Sequence, residues 1–272
     1  MSINGILSTL FNQIPKEKEI LYHFTSKETA LEKILESGQL RLNKFGMTND
    51  PRESKYWLFN YKFNYDDFGK TSKDRNDFIN DQLKKHINVI CFSIDDPNSE
   101  LDHNNRNGYM HSRTWAQYAS NHNGICLLFD KHKLINNVIE KYSSLYQVWN
   151  DTVKYNNRII GDKPDYLTIQ TQTITKQSLS EHIIKSKNEL FFEKRKEWAD
   201  ENEYRIIIYT PELIDDHLYF DISDSIIGII VGVDFHTVYE SCIKKYCLKY
   251  KISADRIQWR EGNPILCAPI SL

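Results

Sequence analysis

The sequence predicts an α+β fold, a single mixed domain in which helices partly cover a central β-sheet. Strand-like and helical segments alternate along the 272 residues. Several of the strands are apolar on both faces, which is typical of strands inside a covered sheet. No repeat and no low-complexity linker interrupts this pattern. A parallel doubly wound sheet is the alternative architecture, although no glycine-rich phosphate loop follows any predicted strand.

The predicted elements begin with a leading helix over residues 1–18, closed by Pro15, and the single domain then extends over 19–272. Short apolar runs bounded by turn residues predict strands, and apolar residues at helical spacing predict helices. The predicted strands are 19–24, 39–42, 88–93, 125–130, 151–155, 203–209, 225–232 and 256–259. The predicted helices are 25–37, 52–86, 112–122, 131–149, 178–198 and 235–249.

Two of the helix starts carry a capping-box pattern. Thr25 with Glu28 is the first, and Ser178 with Glu181 is the second. In such a box the hydroxyl accepts from a backbone N–H three residues on, and the carboxylate reaches back to the start of the helix. Both patterns precede apolar residues at helical spacing, so we expect a helix to begin at each.

Composition and charge argue against a nucleic-acid-binding protein. Lys+Arg 35 against Asp+Glu 37 gives a formal net charge of −2, so no general basic field surrounds the molecule. The Lys-rich runs 194–196 and 244–251 could form local patches, but each is more typical of a solvated helix face.

Neither a metal site nor a membrane segment is predicted. The five cysteines are scattered without metal-ligand spacing, and His103, His111, His122 and Asp102 match no helical or finger-type ligand pair. Residues 1–20 have no basic start and no long apolar core, which predicts neither a signal peptide nor a membrane span. The cysteine usage fits a reducing cytosol, so we expect a cytoplasmic protein.

The stretch "EWADENEYRIIIY" raises the question of why so apolar a strand begins with charged residues. Strand periodicity places Glu203 and Arg205 on the same face. One interpretation is a strand end exposed to water, where such a pair stabilises little. The other is a carboxylate held at the mouth of a cleft, as carboxylates are in glycosyl transfer.

His23 lies between Tyr22 and Phe24 on the first predicted strand, on the opposite face to theirs. It is interpreted either as a core histidine satisfied by a backbone carbonyl or as a ligand-binding residue. In the second case it would act beside Thr25 at a strand-to-helix corner, where the first helical amides can hold an anion.

Three further positions allow both a structural and a functional interpretation. Arg52 either forms a solvated pair with Glu53 or positions a substrate phosphate. Trp115 and Tyr118 share one helix face with His122, a pattern that is more often core than part of a cofactor site. Their polar groups still need partners when buried.

Taken in order, the stretches "LYHFTS", "TNDPRES", "VICFS", "WAQYASNHNGICLLFD" and "KRKEWADENEYRI" resemble the bacterial DUF2971 family. The resemblance covers roughly residues 20–210, and the order and spacing of the motifs make it fairly specific. That family is remotely similar to the ADP-ribosyltransferase superfamily, and some relatives occur in phage-defence and toxin–antitoxin settings. The resemblance therefore implies an ADP-ribosyltransferase-like fold.

The resemblance also implies roles for individual residues. His23 matches a first-strand histidine that binds a ribose of NAD. Glu203 matches a late-strand glutamate that holds the nicotinamide-side ribose and stabilises an oxocarbenium-like state. Ser93 resembles the strand serine of some branches, and Tyr118 resembles the aromatic residue of others that packs on the nicotinamide. NAD is then the substrate, and no metal is required.

The resemblance therefore implies an ADP-ribosyltransferase-like enzyme that uses NAD and modifies a macromolecule, with Glu203 as the catalytic residue and Glu201 and Arg205 as second choices in NAD binding. Nicotinamide leaves as a neutral group, so the reaction needs a carboxylate and dry aromatic walls rather than an acid. The segments 95–109 and 156–177 are candidates for acceptor binding or regulation. NAD hydrolysis and a non-catalytic module that senses a nucleotide or a phage component are the alternatives.

Overall fold

The computed structural model describes residues 10–62, 71–98, 107–157, 165–170, 174–214 and 216–267. Half of the predicted leading helix lies outside these residues, as do parts of the segments 95–109 and 156–177 and the middle of the predicted helix over 52–86. From the described part of the leading segment, Phe11–Gln13 forms one 3₁₀ turn.

Strands make up much of the described chain. In order they are β1 (Ile20–Thr25), β2 (Gln39–Arg41), β3 (Asn43–Lys44), β4 (Asn60–Tyr61), β5 (Ile87–Ser93), β6 (Ile125–Asp130), β7 (Gln147–Thr152), β8 (Lys154–Asn156), β9 (Thr168–Ile169), β10 (Glu193–Arg195), β11 (Glu203–Tyr209), β12 (Tyr219–Asp221), β13 (Ile226–Val231), β14 (Ser253–Arg260) and β15 (Asn263–Cys267).

Short helices connect many of these strands. They are α1 (Leu35–Ser37), which continues a π-helical segment over Thr29–Ile34, α2 (Pro51–Ser54), α3 (Ser72–Lys85), α4 (Ser112–Tyr118), α5 (Lys131–Tyr142), α6 (Lys176–Lys185), α7 (Lys187–Phe191) and α8 (Glu240–Tyr250). Further 3₁₀ turns are formed by Phe45–Met47, Asp165–Leu167, Lys196–Glu201 and Thr237–Tyr239.

A mixed central sheet organises the molecule. Within the described ranges it has nine strands in the order β15-β14-β13-β6-β1-β5-β11-β7, with β3 pairing to β5 beside this path. The neighbours are antiparallel except for the parallel pair β13–β14. A mixed α+β fold with a central sheet is therefore confirmed, and the doubly wound alternative is wrong.

Helices cover both faces of this sheet. On one face the largest apolar cluster joins β1, β6 and β13 to the π-helical segment, α1, α5 and α8. On the other face a second cluster joins β5 and β11 to α3, α6 and α7, and a third packs α4 against β1 and β6. Strands β6 and β11 are buried over their whole length, which explains their continuous apolar runs.

Several predicted helices are wrong in extent. The helix predicted over 131–149 ends at Tyr142, and β7 begins at Gln147. The helix predicted over 178–198 breaks into α6 and α7 and is followed by strand β10. Apolar spacing alone does not show where a helix ends and a strand begins. In the second case, β10 is only three residues long, too short to leave a pattern of its own.

The two predicted capping boxes are also displaced. Thr25 ends strand β1, and the Ser26 hydroxyl accepts the Thr29 N–H at 3.1 Å instead. The second box is formed by Thr175 with Ser178, three residues before the predicted start. In both places another hydroxyl nearby competes for the free N–H groups, so the local pattern alone does not select the cap.

Candidate functional site

The charged start of β11 is buried. Glu203 is 4% exposed and Arg205 is 0% exposed, and strand alternation points both side chains to one face. The Arg205 Nε donates to Glu203 Oε1 at 2.7 Å, and its Nη2 lies 3.1 Å from Oε2. Glu203 and Arg205 therefore share one face, as predicted. The interpretation of this charged start as a strand end exposed to water is wrong.

A second carboxylate reaches Arg205 from α2. Asp50 accepts the Arg52 N–H at 2.8 Å and fixes the start of this short helix, which begins with Pro51. Glu53 then points inward, and its Oε1 accepts from Arg205 Nη2 at 2.5 Å. Because Glu53 is only 1% exposed, the solvated pair of Arg52 and Glu53 expected from the sequence is wrong.

Lys194 continues the chain of charges on the other side of Glu203. Its Nζ lies 2.8 Å from Glu203 Oε2 and 2.7 Å from Glu201 Oε2, and the residue is 4% exposed. The half-buried Trp198 ring covers it, with its centroid 5.0 Å from the ammonium. The prediction of a solvated helix face over 194–196 is thus wrong for Lys194, which is the buried residue of strand β10.

The backbone between the two glutamates allows both to reach Lys194. Asn202 adopts a left-handed conformation with φ 40°, which asparagine tolerates better than most residues. Its side-chain amide donates to the Ile94 carbonyl at 2.8 Å, which fixes this turn against the chain that follows β5.

Two tyrosines close the cluster on its outer side. The Tyr118 hydroxyl donates to Glu201 Oε1 at 2.6 Å, and the Tyr155 hydroxyl accepts the Glu203 N–H at 2.9 Å. Both rings are half-buried. Burial and the neighbouring carboxylates raise the pKa of each hydroxyl, so both stay protonated at neutral pH.

The charges in this cluster alternate along one path. Five side chains take part in the order Glu53, Arg205, Glu203, Lys194, Glu201. Three carboxylates and two cations give a formal net charge of −1. We refer to these five residues as the charge cluster.

Electrostatics within the charge cluster hold Glu203 ionised. Burial raises the pKa of this carboxyl group, but Arg205 and Lys194 outweigh that effect and lower the pKa to about 2. The same interactions raise the pKa of Arg205 and of Lys194 against the effect of burial. Strongly perturbed pKa values of this kind concentrate at functional sites, although structural ion pairs produce them too.

His23 lies outside the charge cluster. Register places Tyr22 opposite Ser93 and Ser93 opposite Glu203, so these three share one face and His23 points to the other. The ring packs near Phe92, and its Nδ1 lies 3.2 Å from the Cys91 carbonyl oxygen. Burial lowers the pKa of this imidazole. This hydrogen bond to a backbone carbonyl is the one that the structural interpretation of His23 expects.

The remaining candidates divide between the cluster and the core. Ser93 is buried directly opposite Glu203 across β5 and β11. Trp115 is fully buried in the third apolar cluster, where its Nε1 donates to the Tyr109 carbonyl. Thr25 pairs with Ile125 at the end of β1, on the same face as His23.

Arg52 supports the backbone beside the cluster. Its guanidinium donates to the carbonyls of Glu189, at 2.8 Å, and Glu193, and it also contacts the Tyr166 hydroxyl at 3.3 Å. Glu193 directly precedes Lys194, so Arg52 helps to place β10. These contacts occupy both Nη atoms that a substrate phosphate would use.

Sequence reasoning missed Glu53, Lys194 and Tyr155 as members of the site. Glu53 lies in a turn motif that the sequence did single out, and its i, i+3 relation to Asp50 at the start of a helix was the available signal. Lys194 and Tyr155 lie on the three-residue strands β10 and β8, which pair with each other. No local pattern marks strands this short.

A comparison with known protein families finds a match. Residues 114–206 match the model of DUF2971, described as a protein of unknown function. The matched stretch covers 93 of the 272 residues. It contains Tyr118, Lys194, Glu201, Glu203 and Arg205 of the site, and the resemblance to this family predicted over 20–210 is confirmed over 114–206.

No curated protein and no solved structure matches the chain. Among the described residues, no group of three or more His, Cys, Asp or Glu side chains is placed to hold a metal ion. No helix in the described ranges is both long and apolar enough to cross a membrane.

Proposed function

We propose that the chain is an NAD-dependent ADP-ribosyltransferase-like enzyme with Glu203 as its catalytic carboxylate. The observation that carries this proposal is the ionised, buried Glu203 at the start of β11, next to a second carboxylate and beneath two half-buried tyrosines. A protein that only needed a stable core would gain as much from apolar residues of similar volume, because desolvation offsets much of the attraction in a buried ion pair.

The geometry suits cleavage of a glycosidic bond to a pyridinium. A carboxylate in a site of low dielectric stabilises positive charge that develops on the ribose, and it needs no reorganisation when the bond breaks. The Tyr118 and Tyr155 rings offer flat walls, and their hydroxyls with that of Ser93 offer partners for ribose hydroxyls. In this proposal His23, Thr25, Arg52 and Trp115 support the fold around the site.

The proposed acceptor of the ADP-ribosyl group is a macromolecule. The proposed setting is bacterial defence or a toxin system in the cytoplasm. Water as the acceptor would make the same site an NAD glycohydrolase. Both versions use Glu203 in the same way, so one experiment addresses both.

A second candidate is a non-catalytic module that binds a nucleotide or a phage component. The specific observation in its favour is that both Glu203 oxygens already accept from Arg205 or Lys194. A carboxylate neutralised in this way is typical of a structural ion pair. In that case the biological activity survives replacement of Glu203.

Nicotinamide release from NAD by the purified protein tests the proposal, with and without a cell lysate. We expect Glu203→Gln to lower the rate by about 100-fold or more while NAD binding persists, because the lost interaction acts in the transition state. Glu197→Gln, an exposed residue in the adjoining 3₁₀ turn, is the matched control and should retain the wild-type rate.

The lysate separates the two acceptors. Release that depends on lysate supports transfer to a macromolecule, and release without it supports hydrolysis. Absence of release under both conditions, from folded wild-type protein, rejects the enzyme and supports the binding module.

A further inference from the structure

Access to Glu203 is blocked from within the protein. Its Oε1 accepts from Arg205 Nε, and its Oε2 accepts from both Arg205 Nη2 and Lys194 Nζ. Glu201 is occupied in a similar way by Lys194 and by the Tyr118 hydroxyl. A ligand that places a positive charge beside these two carboxylates must therefore displace a cation that is already there.

Arg205 is poorly suited to leave. It lies on β11, between β5 and β7, and is 0% exposed. Its guanidinium donates to Glu203, to Glu53 and to the Phe191 carbonyl, the last at 2.5 Å. A planar guanidinium held by three partners in this way keeps one orientation.

Lys194 is the cation that can withdraw. It lies on β10, a three-residue strand that pairs only with the three-residue β8 among the described strands. Its ammonium sits at the end of a flexible four-carbon stem, next to the half-buried Trp198 and Tyr118. Trp198, which covers the ammonium, is itself partly exposed.

We propose that Lys194 is an internal counter-ion that occupies the position of a ligand's cationic group, so that binding requires Lys194 to leave the two carboxylates. Lys194 then regulates the site and sets its preference for cationic over neutral ligands. The choice of a pyridinium as the ligand class rests on the proposed function. The displacement itself rests only on the geometry of the charge cluster.

Calorimetric binding of two small probes tests this inference. 1-Methylnicotinamide carries the pyridinium charge, and nicotinamide is its neutral counterpart. We expect Lys194→Met to bind the cation roughly tenfold more tightly than wild type, a coupling of ordinary size between two competing groups. Nicotinamide should bind both proteins equally, and Lys196→Met, which removes an exposed charge from the same segment, should match wild type.

A second variant covers the case in which Lys194→Met does not fold, since it leaves Glu201 and Glu203 without their shared partner. The double variant with Lys194→Met and Glu201→Gln removes one charge of each sign and keeps the formal net charge of the cluster at −1. It also frees Glu203 Oε2 from Lys194, so tighter binding of the cation is again expected. Unchanged or weaker binding of the cation by a folded variant overturns the inference.

Turnover is not measured in this experiment, so its outcome is separable from that of the proposed function. If the variant binds the cation more tightly but the protein never releases nicotinamide from NAD, the proposed enzyme activity is rejected. The role of Lys194 as a displaceable counter-ion is then retained. Nicotinamide release that depends on Glu203, without any gain in cation binding on removing Lys194, supports the enzyme and overturns the role of Lys194.

Discussion

The two faces of β11 are equally buried but chemically different. Tyr204, Ile206 and Ile208 point into the largest apolar cluster. On the other face the strand begins with Glu203 and Arg205 and becomes apolar only afterwards. The charged face therefore depends on distant groups, because α2 and β10 must supply its counter-charges, whereas the apolar face packs against any neighbour of suitable shape.

Removing Arg205 should disturb this arrangement most. In Arg205→Met the carboxylates of Glu53 and Glu203 both lose their shared partner inside the protein. We expect the free energy of unfolding to fall by about 3–5 kcal/mol, the usual cost of breaking a buried ion pair. Urea denaturation at pH 7 measures it. Arg195→Met, an exposed arginine on β10, is the control, and a loss no larger than that of the control would show that the charged face does not depend on Arg205.

Acid should weaken the charged face next. The pKa of Glu203 is lowered from 4.5 to about 2, because Arg205 and Lys194 outweigh the effect of burial. Its stabilising contribution is therefore complete above pH 4.5 and is lost as the pH falls toward 2. Wild type and Glu203→Gln are compared by denaturation at pH 6, 4 and 3. The difference between them should shrink with falling pH, and a constant difference would contradict the assigned pKa.

A small deletion on the apolar face should cost less. Ile206 is 0% exposed and pairs with Ile90 across the sheet. Ile206→Val removes one methylene group, and we expect the free energy of unfolding to fall by about 1 kcal/mol. Nicotinamide release, if present, should be unchanged because the residue points away from Glu203. A change in rate beyond the change in folded fraction would show that the two faces are coupled.

The smallest effect is expected at an ion pair that is not buried. Lys245 and Glu36 lie 2.9 Å apart, with their side chains 61% and 56% exposed. Lys245→Ala should leave the thermal unfolding midpoint unchanged within error, since solvent screens such a pair. A clear drop in the midpoint would mean that the contrast between buried and exposed pairs is weaker than the structure indicates.

The sequence predicts the strands of the sheet better than it predicts the site. Strands β6 and β11 match the predicted 125–130 and 203–209, because a long apolar run bounded by turn residues leaves few alternatives. The shared face of Glu203 and Arg205 follows from strand periodicity in the same way.

The partners of that pair could not be predicted. Glu53 is 152 residues from Arg205 along the chain, so their contact depends on the whole topology. Lys194 lies within a run of charged residues that has the same local pattern as an exposed helix face. His23 was placed on the correct strand, but its separation from Glu203 follows from the register of β1 on β5, which the sequence does not specify.

The strand order has a consequence for the order of folding. Strands β1 and β5 lie between β6 and β11 in the sheet but precede both in the chain. The stretch 114–206, which matches the DUF2971 model, therefore contains all of β6 and the first four residues of β11, but neither of the two strands that lie between them. If this stretch were expressed alone, the backbone edges of β6 and β11 that normally pair with β1 and β5 would be exposed. Exposed strand edges can pair with other chains. During synthesis β1 emerges early and stays without its neighbour β6 until about a hundred further residues have been made, so nascent chains pass through a stage with an open sheet edge.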